Sequence, residues 1–139
     1  AAVAIKAGRQ DVLILGNLDA QRDWGHAADY VEGMWLMLQQ DTPRDFVLAS
    51  GRTCCVREFV EDVFAALSMP IRWQGKGSDE VAIFLENDKL AVRISSALYR
   101  PHEVHVLQGD PSLAKRHLGW SAKTSRQSLI NEMIIAAQE

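Results

Sequence analysis

The sequence lacks long apolar runs and any excess of basic charge, and it has almost no cysteine. No stretch reaches the ~20 apolar residues that a transmembrane helix needs. The opening A-A-V-A-I-K-A-G is too short for a signal peptide and lacks its flanks. Lys and Arg total 15 against 18 Asp and Glu, a net charge of −3, so there is no general positive field for nucleic acid. The two cysteines, Cys54 and Cys55, are adjacent. A bridge between neighbours would be strained, and no framework of spaced cysteines exists. They read as reduced, packed thiols of a cytoplasmic protein. There is no C-x-x-C and no H-x-x-x-H, and His26, His102, His105 and His117 are scattered, so no metal site is expected. The expected chain is soluble and cytoplasmic, with neither membrane nor nucleic acid as a partner.

Signatures of catalysis are missing too. No G-x-G-x-x-G follows an N-terminal strand, and there is no G-x-x-x-x-G-K-[ST] and no G-x-S-x-G. Tyr-x-x-x-Lys is also absent, since Tyr30 is followed four residues on by Met34 and Tyr99 by Glu103. No catalytic residue and no cofactor-binding residue is therefore expected among these positions. The chain has no initiating Met and opens as if inside a helix, which suggests a fragment or a processed piece.

What is present is a regular alternation of elements over 139 residues, a single-domain length. Ala1–Ala7 reads as the end of a helix stopped by Gly8, and Val12–Leu15 as a short strand. Asp19–Gly25 reads as a turn. Ala27, Tyr30, Val31, Met34, Trp35 and Leu38 follow helical spacing to about Gln40. Trp24, Trp35 and Trp120 are expected in the core. The continuous apolar run Phe46–Ala49 reads as a strand buried on both faces. A second helix covers Val56–Leu67, with Cys55 a poor N-cap. Strands are expected at 71–74, 81–85 and 90–94, and Pro101 biases Arg100 away from helix. Asp110–Pro111 opens a short helix closed by Gly119, and Ser125 caps a final one. Helices alternating with short strands indicate an α/β or α+β fold. The 27–40 helix and the 46–49 run both want neighbours that the chain does not supply.

Two arginines stand out. Arg22 sits in the turn before a helix and Arg100 in Y-R-P-H-E-V. A guanidinium presents a planar fork that fits phosphate oxygens, so the pair makes a candidate diphosphate clamp. Glu103 is an acceptor suited to ribose hydroxyls. Surface pairing of Arg22 with Asp23 or Asp29, and of Arg100 with Glu103, accounts for the same spacing.

The stretch G-N-L-D-A-Q-R-D-W-G-H-A-A-D-Y-V-E-G-M-W closely resembles the GDP-mannose 4,6-dehydratases, which are extended short-chain dehydrogenase/reductases. So do D-F-V-L-A-S-G, V-R-E-F-V-E, Y-R-P-H-E-V and G-D-P-S-L-A-K-R-H-L-G-W, in the family's order and over nearly the whole chain. The R-D-W-G-H-A-x-D-Y-V form is specific to the GDP-mannose branch. The resemblance implies the C-terminal portion of an α/β enzyme. Residues 1–50 would complete the far edge of a Rossmann domain and carry the phosphate-binding turn, and 51–139 would form the nucleotide-sugar-binding domain.

The implied activity is a lyase reaction that converts GDP-mannose to GDP-4-keto-6-deoxymannose, on the way to GDP-fucose and related deoxysugars, with NADP as cofactor. The resemblance puts the catalytic and NADP-binding motifs in an N-terminal Rossmann half upstream of Ala1, so this chain alone is expected to be inactive. Its implied partners are GDP-mannose or GDP, that missing half and a second copy of the chain. Arg22, Arg100 and Glu103 match positions that hold the nucleotide's phosphates and ribose. Val56 matches an apolar position near the base. Asn17 is a weaker substrate-binding candidate that also reads as a plain turn residue. Cys54–Cys55 replaces a polar pair that usually ends in Ser, so loss of a helix cap is expected. Residues 78–90 match weakly and carry no assigned site. Two alternatives stay open: a non-catalytic GDP-sugar-binding or interaction module, and part of another nucleotide-sugar epimerase or dehydratase.

Overall fold

The computed structural model describes residues 1–100 and 102–138. Pro101 lies outside that set; Arg100, expected to be biased away from helix, is not helical. Contacts divide the chain into two compact units that interleave along the sequence. The first comprises 1–20, 55–104 and 130–139, and the second 21–54 and 105–129.

In the first unit, β1 (Leu13–Leu15), β4 (Ile71–Gln74), β5 (Val81–Phe84) and β6 (Leu90–Ile94) form a 4-stranded sheet in the order β1-β6-β5-β4. β1 runs parallel to β6, with Leu13 opposite Val92 and Leu15 opposite Ile94. β4 and β5 are antiparallel, with Ile71 opposite Phe84 and Trp73 opposite Ala82. Helices α1 (Ala2–Lys6) and α3 (Val56–Ala66) contribute to one core with this sheet. That core contains Ala2, Val60, Phe64, Leu67, Ala82, Ala91 and Val92. Val60 and Phe64 are one helical turn apart, which puts both on the buried face of α3. Phe64 meets Phe84 edge-on at 5.7 Å.

The start of α3 corrects the expectation of a lost cap. The Cys55 thiol accepts from the Glu58 amide at 3.5 Å, and the Glu58 carboxylate accepts from the Cys55 amide at 3.1 Å. A thiol thus replaces the usual hydroxyl in a capping box, because the long, polarisable sulfur still reaches the amide.

In the second unit, β2 (Gln21–Asp23), β3 (Thr53–Cys55) and β7 (Val106–Leu107) make a 3-stranded sheet ordered β3-β2-β7. Gln21 lies opposite Val106 and Arg22 opposite Leu107 in parallel register. The expected turn at 19–25 therefore contains a strand, and Thr53–Cys55 is a second strand that the sequence pattern did not show. Helix α2 (Ala27–Leu38) is capped by His26, whose Nδ1 accepts from the Ala28 amide at 3.1 Å. Helix α4 (Ser112–Leu118) starts one residue later than expected. Asp110 still serves its first turn, accepting from the Ser112 amide at 2.9 Å. Gly119 ends α4 in the left-handed region at φ 65°, where a side chain would be strained. Helix α5 (Arg126–Ala136) begins here, with Ser125 Oγ accepting from the Ser128 amide at 3.0 Å, and from Ile130 onward its residues belong to the first unit.

Two further expectations fail in this unit, the strand at 46–49 and the core placement of Trp35, whereas the outward stripe of α2 agrees with a helix that wants neighbours the chain does not supply. Phe46–Ala49 enters no strand ladder, and Val47 is exposed. A continuous apolar run becomes a buried strand only when it has strand neighbours, and among the described residues it has none. The apolar stripe of α2 is also turned outward, with Val31 62% and Leu38 82% exposed. Trp35 on this stripe is exposed as well, whereas Trp120 is buried. The face α2 buries instead carries Asp29 and Gly33. A Cβ on Gly33 would stand 2.7 Å from Leu48 Cδ1 and 3.1 Å from Trp120 Nε1, so that approach needs a glycine.

Candidate nucleotide-sugar site

Strand β2 is the scaffold for Arg22. The Gln21 amide donates to the His105 carbonyl at 2.7 Å, which ties β2 to the chain leading into β7. Thr53 Oγ1 donates to Gln21 Oε1 at 3.1 Å, and Trp24 Nε1 to the Cys54 carbonyl at 3.1 Å. Arg22 is half-buried, and its Nη1 donates to the Gln21 carbonyl at 2.7 Å. Beside it, the Asp23 carboxylate accepts from the Ser50 amide at 2.9 Å and the Gly51 amide at 2.8 Å. Asp23 therefore anchors the chain after the 46–49 run to the end of β2.

A pocket of about 300 Å³ opens here, lined by Arg22, Asp23, Tyr30, Val47, Leu107 and Gln108 among others. Arg22 is the cation in that lining. Burial first, then the charges of Asp23 and Asp29, push the Tyr30 phenol up, so Tyr30 stays protonated and able to donate. The pocket thus joins one fixed guanidinium and one phenolic donor to apolar walls, a combination that suits an anionic group attached to a larger body.

Asn17, Val56, Arg100 and Glu103 belong to the first unit, and Arg22 to the second. Asn17 Oδ1 accepts from the Asp19 amide at 3.0 Å, closing an Asx turn. Its turn role is therefore real, and its amide nitrogen is left to donate elsewhere. The same turn reaches the start of α3. The Val56 amide donates to the Ala20 carbonyl at 3.2 Å and the Arg57 amide to the Leu18 carbonyl at 3.0 Å. The turn that carries Asn17 is thus tied by two backbone hydrogen bonds to the residues that open α3. Val56 also packs half-buried against the core. Arg100 is exposed on irregular chain after the 3₁₀ turn Ser96–Leu98, and Glu103 is half-buried.

Sequence reasoning passed over Asp23, Tyr30 and Arg57. The signal for Arg57 was present in V-R-E-F-V-E, where an arginine follows directly on the first apolar residue of a helix. β1 leads through Gly16–Asn17 to another strand, and β3 runs straight into α3 with no glycine between them. Among the described residues no group of three or more His, Cys, Asp and Glu side chains is arranged to hold a metal ion.

Comparison with known proteins decides the family. Residues 1–133 match the family model described as GDP-mannose 4,6 dehydratase. The chain belongs to the GDP-mannose 4,6-dehydratase family. It is 51% identical over 134 residues to a GDP-mannose 4,6-dehydratase of Sinorhizobium fredii, covering 96% of this chain and 38% of that protein. It is 49% identical over 130 residues to that of Dictyostelium discoideum, covering 94% and 36%. The chain thus spans little more than a third of the length of these family members.

Among solved structures, RMD from Pseudomonas aeruginosa complexed with NADPH superposes with a TM-score of 0.74 at 15% identity, over 96% of this chain and 38% of that one. At that identity the likeness speaks for fold alone, the mixed α/β architecture shared with part of that longer chain.

Proposed function

We propose that this chain is the GDP-sugar-binding portion of a GDP-mannose 4,6-dehydratase, which converts GDP-mannose to GDP-4-keto-6-deoxymannose. Arg22 and Arg100 hold the diphosphate, Glu103 accepts from the ribose hydroxyls, Val56 lies against the base, and Asn17 donates from its amide nitrogen. Residues 1–50 complete the edge of a Rossmann domain, and 51–139 form the nucleotide-sugar domain. The chain is the C-terminal part of its enzyme. The reaction itself, and the NADP that supplies and takes back the hydride, belong to a Rossmann half carrying residues not found here. By itself this chain binds without converting. The observation that carries the reading is the family match over residues 1–133, and Arg22 and Arg100 lie in the stretches R-D-W-G-H-A and Y-R-P-H-E-V, whose sequence resembles the family.

The test is a thermal melt of the chain with excess GDP, UDP or GDP-mannose. A ligand that binds only the folded state raises the midpoint, by the equivalent of about 2.7 kcal/mol at a hundred times Kd. GDP and GDP-mannose are expected to raise it, and Arg22→Ala and Arg100→Ala to remove most of the rise. A midpoint that none of the three nucleotides moves would overturn the reading.

A second reading is favoured by one observation. The outward stripe of Val31, Met34, Trp35 and Leu38 gives α2 a contiguous apolar face. An interaction module that pairs with another polypeptide or with a second copy would use it. Sedimentation of the chain alone and with a Rossmann half of the family separates that role from nucleotide binding.

A further inference from the structure

The first unit carries a charged cluster that the proposed binding role does not use. Arg57, the second residue of α3, forks onto both carboxylate oxygens of Glu80, with Nη2 at 3.0 Å from Oε2 and Nη1 paired to Oε1. Nη2 also donates to Asp19 Oδ1 at 3.0 Å. The guanidinium lies over the Trp73 ring, 4.9 Å from its centroid, and Trp73 Nε1 donates to Glu61 Oε1 at 2.6 Å. The Glu80 side chain is only 13% exposed, so its charge is largely withdrawn from water and needs this fork. A lysine has one ammonium point and cannot serve two carboxylates and a ring face in this geometry.

What the cluster holds is the Asn17–Ala20 turn. The Leu18 carbonyl accepts from the Arg57 amide, the Ala20 carbonyl from the Val56 amide, and Asp19 from the Arg57 side chain. Leu18 and Ala20 are the buried residues of this turn. The first amides of α3 are thereby consumed by the turn, so this helix end works as a clamp and not as an anion site.

We infer that Arg57 is a positioning residue that sets Asn17 against Val56 and so governs which base the site accepts. The inference rests on the reading that Asn17 and Val56 meet the nucleotide. Freed from Arg57, Asp19 releases one of the three ties of the turn. The Asn17 donor then shifts relative to the apolar wall of Val56, and displacements well under an ångström are enough to weaken a hydrogen bond.

The experiment is calorimetric titration of the 139-residue chain with GDP and with UDP, for wild type, Arg57→Lys, Glu80→Gln and Arg22→Ala. Wild type is expected to prefer GDP. Arg57→Lys should lose roughly tenfold in GDP affinity, the equivalent of one charge-assisted hydrogen bond, and lose less for UDP, so the ratio narrows. Glu80→Gln leaves Arg57 in place and should narrow the ratio less, which covers the case in which Arg57→Lys does not fold. Arg22→Ala should weaken both nucleotides alike, because both carry a diphosphate. A purely structural Arg57 would lower the melting midpoint and leave the GDP-to-UDP ratio unchanged, and that result overturns the inference. Loss on Arg22→Ala with wild-type behaviour of both Arg57→Lys and Glu80→Gln overturns the inference alone. A wild-type chain that binds neither nucleotide overturns the nucleotide-sugar reading as well.

Discussion

Helices α2 and α3 carry the same apolar spacing, yet they bury different kinds of face. In α3 the stripe is inward: Val60 and Phe64 are buried, and Val56, Phe59 and Val63 are half-buried. In α2 the stripe is outward, and the buried positions are Asp29 and Gly33. The difference lies in what each helix meets within its own unit. α3 meets a sheet whose strands offer Ala82, Ala91 and Val92. α2 meets the chain around Trp120, whose Nε1 donates to the Asp29 carbonyl at 2.7 Å. The Asp29 carboxylate accepts from the amides of Lys123 at 3.1 Å and Thr124 at 2.9 Å. A glycine and a satisfied carboxylate let the Leu48 and Trp120 side chains come up against the helix backbone, and that closeness is what the α2 contact consists of.

The sharpest way to break this comparison is on the α3 side. Phe64 is fully buried, and Phe64→Ala should cost about 3–5 kcal/mol through lost transfer energy and a residual cavity. Urea unfolding of the variant measures this, and a loss below ~1 kcal/mol would mean that the core around Phe64 collapses freely.

A smaller effect is expected on the inner face of α2. Asp29→Asn keeps the shape of the side chain but weakens two hydrogen bonds to a charge, at about 1–2 kcal/mol near neutral pH. The cost should depend on pH. Burial pushes the Asp29 carboxyl up, but the hydrogen bonds from Thr124 and Lys123 together outweigh it and hold the group below its usual 3.8. A depressed carboxylate contributes stability that is present above the unfolded value and lost as pH falls through the folded one. The gap between wild type and Asp29→Asn should therefore be constant down to about pH 4 and shrink below it. Melts across an acid series test this, and a gap that widens on acidification contradicts it.

The smallest effect on stability belongs to the outer face. Trp35→Ser is exposed and should shift stability by no more than about 0.5 kcal/mol. Its effect should appear in association instead, as reduced self-assembly or reduced binding to a complementary Rossmann half, read by sedimentation.

Much of the fold was legible in the residues. The 56–66 helix, the strands at 71–74, 81–84 and 90–94, and the stops at Gly8 and Gly119 follow from periodicity and turn chemistry. These are local signals: a side-chain period and a backbone conformation that few residues tolerate. Strands β2 and β3 were not legible, because Q-R-D and T-C-C carry no alternation and become strands only through pairing with one another and with β7. Cys55 was misjudged for a related reason. Its rank as a cap follows from oxygen acceptors, while here Glu58 completes the box around a sulfur. For the candidate site, Arg22 and Arg100 were visible as chemistry, and Arg57 was visible only as one charge in a helix.

The types of the helices and of strands β1, β4, β5 and β6, the family and the arginines worth testing come from the order of residues alone, because each depends on neighbours within a few positions or on a motif that can be read directly. Which face of α2 is buried, that residues 46–49 form no strand, that Asp23 anchors Ser50 and Gly51, and that Arg57 ties Asp19 to Glu80 required the fold. Each joins residues far apart in the chain or turns on a partner strand being present. A hydrogen bond is decided by distance and angle at its two ends, and neither is written in the spacing of the letters.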